Sequence, residues 1–229
     1  MRRSVKVGVA VAALAATPLL TADSVGLAAN STCYGTYGEG WVAGAVRMPF
    51  SGSNFEPYCA PCVAALRTYG HAPAIESTVA AYRELEETRP QTRFLYGEIG
   101  FPWGGRFRPH RSHRNGLSFD FMVPLTEGVL PTGSGNRYGY NAEFDTRGVG
   151  EAGRIDFEAI ALHLAALDRA ARERGGSVAR VFFAPDLQDE LRAVAGDALD
   201  SIRLNQRQSW VCHDDHYHVD FAFPCGALG

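Results

Sequence analysis

Five of the seven histidines in the chain lie in two short windows that are about a hundred residues apart. Imidazole and carboxylate groups are the side chains that most often bind divalent metals and move protons in catalysis. These groups are His110, His113 and Asp120 in residues 109–120, and His213, His216 and His218 in residues 210–218. The clustering favours one metal site that both windows build together.

The spacing within each window limits how it can contribute to such a site. If residues 210–223 form a strand, His216 and His218 share one face about 7 Å apart, too far for both to bind one metal easily. One of them is then expected to bind the metal while the other faces the substrate. In the first window the Asn115-Gly116 turn can fold His113 back toward Asp120. Two histidines, a carboxylate and an open position are typical of catalytic zinc, although the ligands do not exclude other divalent metals.

The elements that must position these residues follow from the hydrophobic pattern. The predicted strands are 41–48, 92–99, 117–125, 178–184 and 210–223, and the predicted helices are 74–88, 156–174 and 186–194. Asp156 and Asp186 are the expected N-caps of the last two helices. His163 lies on a helix away from both windows, which favours a packed or surface histidine. The glycine-rich segment 126–154 is expected to be a long loop over the site.

This order predicts an α+β fold in which a small, mostly antiparallel sheet carries the metal site. At least three helices flank the sheet, and long loops and one or two disulfides complete the domain. No internal repeat or second domain is evident, so residues 30–229 are expected to form one domain.

The first 29 residues have the pattern of a secretory signal peptide. Arg2, Arg3 and Lys6 precede an apolar run, and small residues lead to Ala28 and Ala29, where cleavage is expected. An uncleaved anchor helix is the alternative, but the apolar run is short for a membrane span. We therefore expect a protein of the periplasm or the extracellular space without stable membrane insertion.

Charge and composition exclude several functional classes. Without the leader the chain loses three of its 22 Lys and Arg and one of its 25 Asp and Glu, which leaves a formal net charge of −5. An acidic protein is a poor candidate for bulk nucleic-acid binding. Lys6 is the only lysine, so Schiff-base chemistry and lysine-dependent phosphate loops are excluded from the exported form.

The five cysteines follow the leader, and export favours disulfides. Cys212 and Cys225 bracket the second histidine window and are expected to pair with each other. Cys33, Cys59 and Cys62 can then supply only one further bridge, whose partners the spacing leaves open. Cys59-Ala60-Pro61-Cys62 lacks the βαβ context of a redox motif, which favours a structural role.

The two windows resemble the penicillin-insensitive murein endopeptidases. These are LAS-type zinc peptidases, related to the D-alanyl-D-alanine carboxypeptidases and dipeptidases. The motifs that carry the resemblance are His110-x-x-His113-x6-Asp120, with Gly116-Leu117 inside it, and His216-x-His218-Val219. Gly104-Gly105 precedes the first motif, and the likeness extends from about Cys33 to Cys225.

The resemblance implies a role for each residue of the two windows. The implied ligands of one zinc ion per chain are His113, Asp120 and His218; the implied catalytic residue is His216, and His110 and His213 would line the site and assist. The implied reaction is hydrolysis of the D-alanyl–meso-diaminopimelyl cross-link, so the partners would be peptidoglycan stem peptides.

Two positions depart from what the resemblance leads us to expect. Asp215 lies three residues before His218, where the related dipeptidases carry a glutamate base. Strand alternation directs Asp215 away from the metal, which favours His216 as the base. Asp220 occupies the place of the arginine expected in a His-Val-Arg-Leu sequence, and this substitution bears on substrate specificity.

Other functions remain compatible with the same residues. A D,D-carboxypeptidase or dipeptidase would use the same fold, and a zinc-stabilised wall-binding module would use it without catalysis. Four arginines crowd the first window and could bind substrate carboxylates or remain solvated loop charges: Arg106, Arg108, Arg111 and Arg114. A metal nuclease could use the same basic patch, but the acidic net charge disfavours it.

Overall fold

The chain alternates short strands and helices in a computed structural model that describes residues 31–131, 142–209 and 211–228. The strands are β1 (Thr32–Gly35), β2 (Gly40–Ala43), β3 (Val46–Arg47), β4 (Phe55–Pro57), β5 (Tyr69–Gly70), β6 (Phe94–Tyr96), β7 (Ser118–Met122), β8 (Val149–Gly150), β9 (Gly153–Arg154), β10 (Ser177–Phe182) and β11 (His216–Ala222). The helices are α1 (Ala60–Ala64), α2 (Ala72–Thr88), α3 (Phe157–Arg172) and α4 (Gln188–Ala195). The predicted α+β class is confirmed, whereas the predicted signal peptide, residues 1–29, lies outside the described residues.

The central sheet contains five strands in the order β10-β11-β7-β6-β4. Only β4 and β6 run parallel, so the sheet is mostly antiparallel, as predicted. In the β11–β7 pair, His218 lies opposite Asp120 and Val219 lies opposite Phe119. Because side chains alternate along each strand, one face of these strands is polar and the other is apolar.

Helices α2 and α3 cover the apolar face. The helical spacing of Ile75, Val79, Tyr82 and Leu85 predicted the buried side of α2, and all four are buried. Tyr82 also contacts the edge of the Phe121 ring on β7. Within the described ranges, no helix combines the length and the apolar character that crossing a membrane requires.

Helix α3 begins where the sequence predicted. The carboxylate of Asp156 accepts a hydrogen bond from the backbone N–H of Ala159, as an N-cap should. His163 of this helix is fully buried, and its Nδ1 lies 2.6 Å from the Tyr217 hydroxyl. Burial lowers the pKa of His163 to about 3, so this histidine is neutral and belongs to the packing of the apolar face.

Three predicted elements need correction. The strand predicted for residues 41–48 is divided into β2 and β3, because Gly44 has a φ of 63° that an extended strand cannot include. The last strand begins at His216 rather than near residue 210, because His213 adopts a φ of 56°. Asp186 does not cap α4; it lies in a 3-10 turn, Pro185–Leu187, directly before that helix.

The predicted Cys212–Cys225 disulfide is wrong. Cys225 pairs with Cys33 and Cys59 pairs with Cys62, while Cys212 is a free, exposed thiol. Strand β11 separates Cys212 from Cys225, and its seven extended residues span roughly 20 Å. The backbone N–H of Gly226 donates to the carbonyl of Cys33, which aligns the C-terminal segment with β1 and brings the bonded sulfurs together.

Removing the Cys33–Cys225 bridge is expected to lower the free energy of unfolding by roughly 2–5 kcal/mol. The bridge joins cysteines 192 positions apart and so restricts the unfolded chain strongly. Urea unfolding of the Cys33→Ser/Cys225→Ser variant, made in a Cys212→Ser background to prevent exchange, measures this effect. The matched control is Cys59→Ser/Cys62→Ser, whose three-position separation predicts a cost of at most about 2 kcal/mol. Equal costs for the two bridges would contradict the chain-entropy argument.

Candidate metal centre

A tight turn returns the first histidine window to the sheet. His113 has a φ of 64°, an unfavourable conformation for a residue with a side chain, and such strain often occurs at functional sites. Gly116 has a φ of 75°, and a Cβ there would lie 2.7 Å from the backbone nitrogen of His71, so only glycine fits. The result is that Nε2 of His113 lies 3.4 Å from Oδ1 of Asp120, the approach that the sequence predicted.

The hydrogen bonding of His113 identifies the atom that is available to a metal. Its Nδ1 lies 2.9 Å from the carbonyl oxygen of Ile99, and a carbonyl can only accept, so Nδ1 carries the proton. Nε2 therefore presents a lone pair, and this buried atom has no hydrogen-bond partner within the described part of the chain. Burial lowers the pKa of His113, which keeps the ring neutral. A lone pair that faces a carboxylate is repelled by it unless a cation lies between them.

His218 approaches the same carboxylate from the opposite strand. Its Nδ1 lies 2.9 Å from Oδ1 of Asp120, and its Nε2 lies 2.9 Å from Oδ1 of Asp220. Burial alone would lower the pKa of His218, but the carboxylates of Asp220 and Asp120 outweigh it and raise the pKa to about 10. The ring is thus a cation held between two carboxylates, with its Nδ1–H directed at Asp120.

The distances fit a tetrahedral divalent ion. Two ligands about 2.1 Å from a zinc ion at a tetrahedral angle lie roughly 3.4 Å apart, which equals the separation of His113 Nε2 and Asp120 Oδ1. The His218 contact of 2.9 Å would need to open by about 0.5 Å on binding. Burial favours a protonated Asp120, yet the charge and the hydrogen bond of His218 outweigh it and hold the pKa of this carboxyl well below its usual value. A neutral imidazole and a buried carboxylate at this separation are suited to binding a divalent metal ion.

His110 also belongs to this cluster. The ligand atoms of His110, His113 and Asp120 lie within 4.8 Å of one another, so these three residues could hold a metal ion. Nε2 of His110 lies 2.7 Å from the carboxylate of Glu98, which also binds the guanidinium of Arg67. Burial would raise the pKa of Glu98, but the hydrogen bonds from His110 and Arg67 lower it. His110 thus has a fixed orientation beside the centre.

A second pair of interacting side chains, His216 and Asp215, belongs to the other histidine window. Nδ1 of His216 lies 2.6 Å from Oδ1 of Asp215. Burial would lower the pKa of His216, but this carboxylate outweighs it and raises the pKa. The His213 ring centroid lies 4.7 Å from that of His216, and Nδ1 of His213 contacts the carbonyl of Val211 at 2.9 Å. Burial, the largest cause, lowers the pKa of His213 to about 3, so the two neighbouring rings differ in basicity.

An open cleft of roughly 230 Å³ gives access to these groups. Its lining residues are Tyr37, Gly38, Pro109, His110, Arg111, Ser112, Arg180, Phe182, Ser209, Val211, His213, His216 and His218. Four of the six predicted site residues thus line the cleft, and the other two, His113 and Asp120, are fully buried beside them. The two histidine windows are therefore brought together, as the sequence predicted.

The structure also identifies site residues that the sequence did not single out for the centre. The partly buried carboxylate of Glu98 contacts His110, and the fully buried carboxylate of Asp220 contacts His218. The sequence signal for each is an acid with apolar neighbours, Glu98 just after β6 and Asp220 between Val219 and Phe221 of β11. Asp215, considered as an alternative base, contacts His216 and is not among the residues that line the cleft.

The segment predicted as a loop over the site is only partly described. Residues 132–141 lie outside the described ranges, and β8 and β9 form a small hairpin near its end. The backbone N–H of Phe144 lies 3.4 Å from a carboxylate oxygen of Asp214, so the segment reaches the second histidine window. Its described residues do not contribute to the cleft lining.

Comparison with known proteins identifies the family. A search of curated proteins found no match to the chain. A family model described as penicillin-insensitive murein endopeptidase matches residues 33–229, which include both histidine windows and nearly all of the described fold. The chain therefore belongs to the penicillin-insensitive murein endopeptidase family of peptidoglycan hydrolases.

Proposed function

We propose that the protein is an exported zinc metallopeptidase that hydrolyses D-alanyl–meso-diaminopimelyl cross-links in peptidoglycan. One zinc ion would be held by His113, Asp120 and His218. The observation that carries this assignment is the buried Nε2 of His113, whose lone pair faces Asp120 at 3.4 Å without a hydrogen-bond partner in the described ranges. Membership of a murein endopeptidase family supports the substrate class.

A zinc ion bound there would activate water and polarise the scissile carbonyl. The chain fixes the ligands for this task through their outer hydrogen bonds. The Ile99 carbonyl holds the Nδ1–H of His113, and Asp220 holds the Nε2–H of His218, so each ring presents its other nitrogen to the ion. Partners of this kind set the tautomer and orientation of metal-binding histidines.

His216 would serve as the catalytic residue, supported by Asp215. The contact of 2.6 Å between Asp215 and Nδ1 directs proton exchange to Nε2. Nε2 of His216 would take up the proton of the attacking water, and the resulting imidazolium would stabilise the developing oxyanion. A histidine then returns the proton to the leaving amine, and His213 and His110 are the neighbouring groups that would assist.

Export is supported by the disulfides as well as by the predicted signal peptide. Disulfides persist in the periplasm and outside the cell, and the structure contains Cys33–Cys225 and Cys59–Cys62. Peptidoglycan lies in the same compartments. We therefore place the protein in the cell envelope or the extracellular space.

One digestion tests the function. The exported form, loaded with zinc, is incubated with purified peptidoglycan, and the released muropeptides are separated and identified. Conversion of cross-linked dimers to monomers supports the endopeptidase. Loss of only a terminal D-alanine would instead indicate a carboxypeptidase, and wall binding without new products would indicate a non-catalytic module.

A further inference from the structure

Arg180 lies at the rim of the cleft, on the strand next to the metal centre. In the β10–β11 register it is opposite Asp220, and Phe182 is opposite His218. The Nε of Arg180 donates to Oδ2 of Asp220 over 2.6 Å, while Oδ1 of Asp220 contacts Nε2 of His218 and accepts from the Ser118 hydroxyl. One buried carboxylate therefore fixes both a proposed zinc ligand and an arginine of the cleft.

Two aromatic rings fix the guanidinium further. Its central carbon lies 5.0 Å from the ring centroids of both Tyr37 and Phe182, and all three residues line the cleft. The side chain is 41% exposed, so it is positioned without being enclosed. Stacking on aromatic faces is a contact that arginine makes and that restricts its rotamers.

The bond to Asp220 uses only the Nε of Arg180. Among the described residues, Asp220 is the only acid within ion-pair distance of Arg180, and no hydrogen bond from its two terminal nitrogens is found. The two terminal nitrogens of a guanidinium carry parallel N–H donors on a planar, charged group. Their spacing matches the two oxygens of a carboxylate. Residue 220 is an acid, and the positive charge at this part of the site comes from Arg180 on the neighbouring strand.

We propose that Arg180 is the specificity-determining residue that binds a carboxylate of the peptide substrate in the cleft. The inference rests on the proposed peptidase function, because the ligand is a stem peptide. Either of two carboxylates could be the partner, a C-terminal one or the side-chain one of the diamino acid. Both are recognised by the same bidentate geometry.

Amidated substrates test this proposal. Cleavage of a cross-linked muropeptide dimer is compared with cleavage of two analogues, in which the C-terminal or the diamino-acid carboxylate is an amide. For the unmodified protein we expect KM to rise about tenfold or more for one analogue, with kcat changed little, since a charge-assisted pair is lost. The analogue that shows the effect identifies the carboxylate.

Variants assign the effect to Arg180. In Arg180→Gln the KM for the free acid should rise about tenfold or more, and the preference for acid over amide should disappear. Arg180→Lys should keep part of the preference that Arg180→Gln loses, because lysine keeps the positive charge but lacks the planar pair of N–H donors. Arg192→Gln, on the exposed side of α4, is the matched control and should behave like the unmodified protein.

The outcomes separate this inference from the proposed function. Equal KM values of the unmodified protein for the acid and both amides would overturn the role of Arg180, even if Arg180→Gln fails to fold. Arg180→Gln with normal zinc content and an intact acid preference would overturn it too. If the unmodified protein cleaves no substrate, the peptidase proposal fails, and calorimetric binding of the acid and amide peptides still decides whether Arg180 recognises a carboxylate.

Discussion

Replacing Asp120 with alanine is expected to abolish both zinc binding and peptidoglycan cleavage. Asp120 supplies the only negative charge among the proposed ligands, and both His113 and His218 approach the same oxygen of its carboxylate. Without it, two imidazoles remain to hold a dication in a buried pocket. We expect zinc content near zero by mass spectrometry and a fall in cleavage rate of at least about 1000-fold.

The comparison variants for this result are Asp120→Asn and Asp186→Ala. Asparagine keeps the volume of the buried side chain, so it separates loss of the ligand charge from loss of packing. Asp186 is exposed in the turn before α4, and its removal should leave zinc content and rate unchanged. Retained zinc and full activity in Asp120→Ala would show that the ligand assignment is wrong.

Replacing His216 with alanine is expected to separate catalysis from metal binding. The side chain lies in the cleft and contacts Asp215, whereas the proposed ligands are held by Ile99 and Asp220. The variant should therefore keep most of its zinc and lose about 100- to 10,000-fold in kcat, which is typical for removal of a general acid–base group. Zinc analysis and single-substrate kinetics on the same preparation measure both quantities.

Asp215 provides the internal comparison. If His216 is the base, Asp215→Ala should reduce the rate less than His216→Ala does, because it removes only the orienting hydrogen bond. The reverse order, an active His216→Ala and an inactive Asp215→Ala, would make Asp215 the base. Cleavage of the same dimer by both variants decides between them.

The approach of His113 to Asp120 and the shared face of His216 and His218 could be predicted because each depends on a short local pattern. That the two windows meet was inferred from the clustering of the histidines and not from local geometry. The turn at Gly116 brings His113 to Asp120 over seven residues, and alternation in a strand places His216 and His218 on one face. Turns and strand alternation of this kind are determined by a few consecutive residues, so they can be inferred without knowing the rest of the fold. The same holds for α3, whose N-cap and buried face were both predicted.

Other contacts between distant segments could not be predicted. The bond of Cys225 to Cys33 depends on how the C-terminal segment aligns with β1, and nearness in sequence to Cys212 was misleading. The role of Asp220 depends equally on strand register, because its partners Ser118 and Arg180 lie on two other strands. The alternation of apolar and polar residues determines which face of a strand is buried. Which residues of two distant strands lie opposite each other also depends on how the whole sheet pairs.

The zinc requirement of the protein tests the central proposal most directly. Zinc is measured in the purified exported form before and after treatment with a chelator, and cross-link cleavage is followed in the same samples. We predict one zinc per chain, loss of cleavage when the metal is removed, and recovery when one equivalent of zinc is added. Undiminished cleavage by the metal-free protein would contradict the proposed centre.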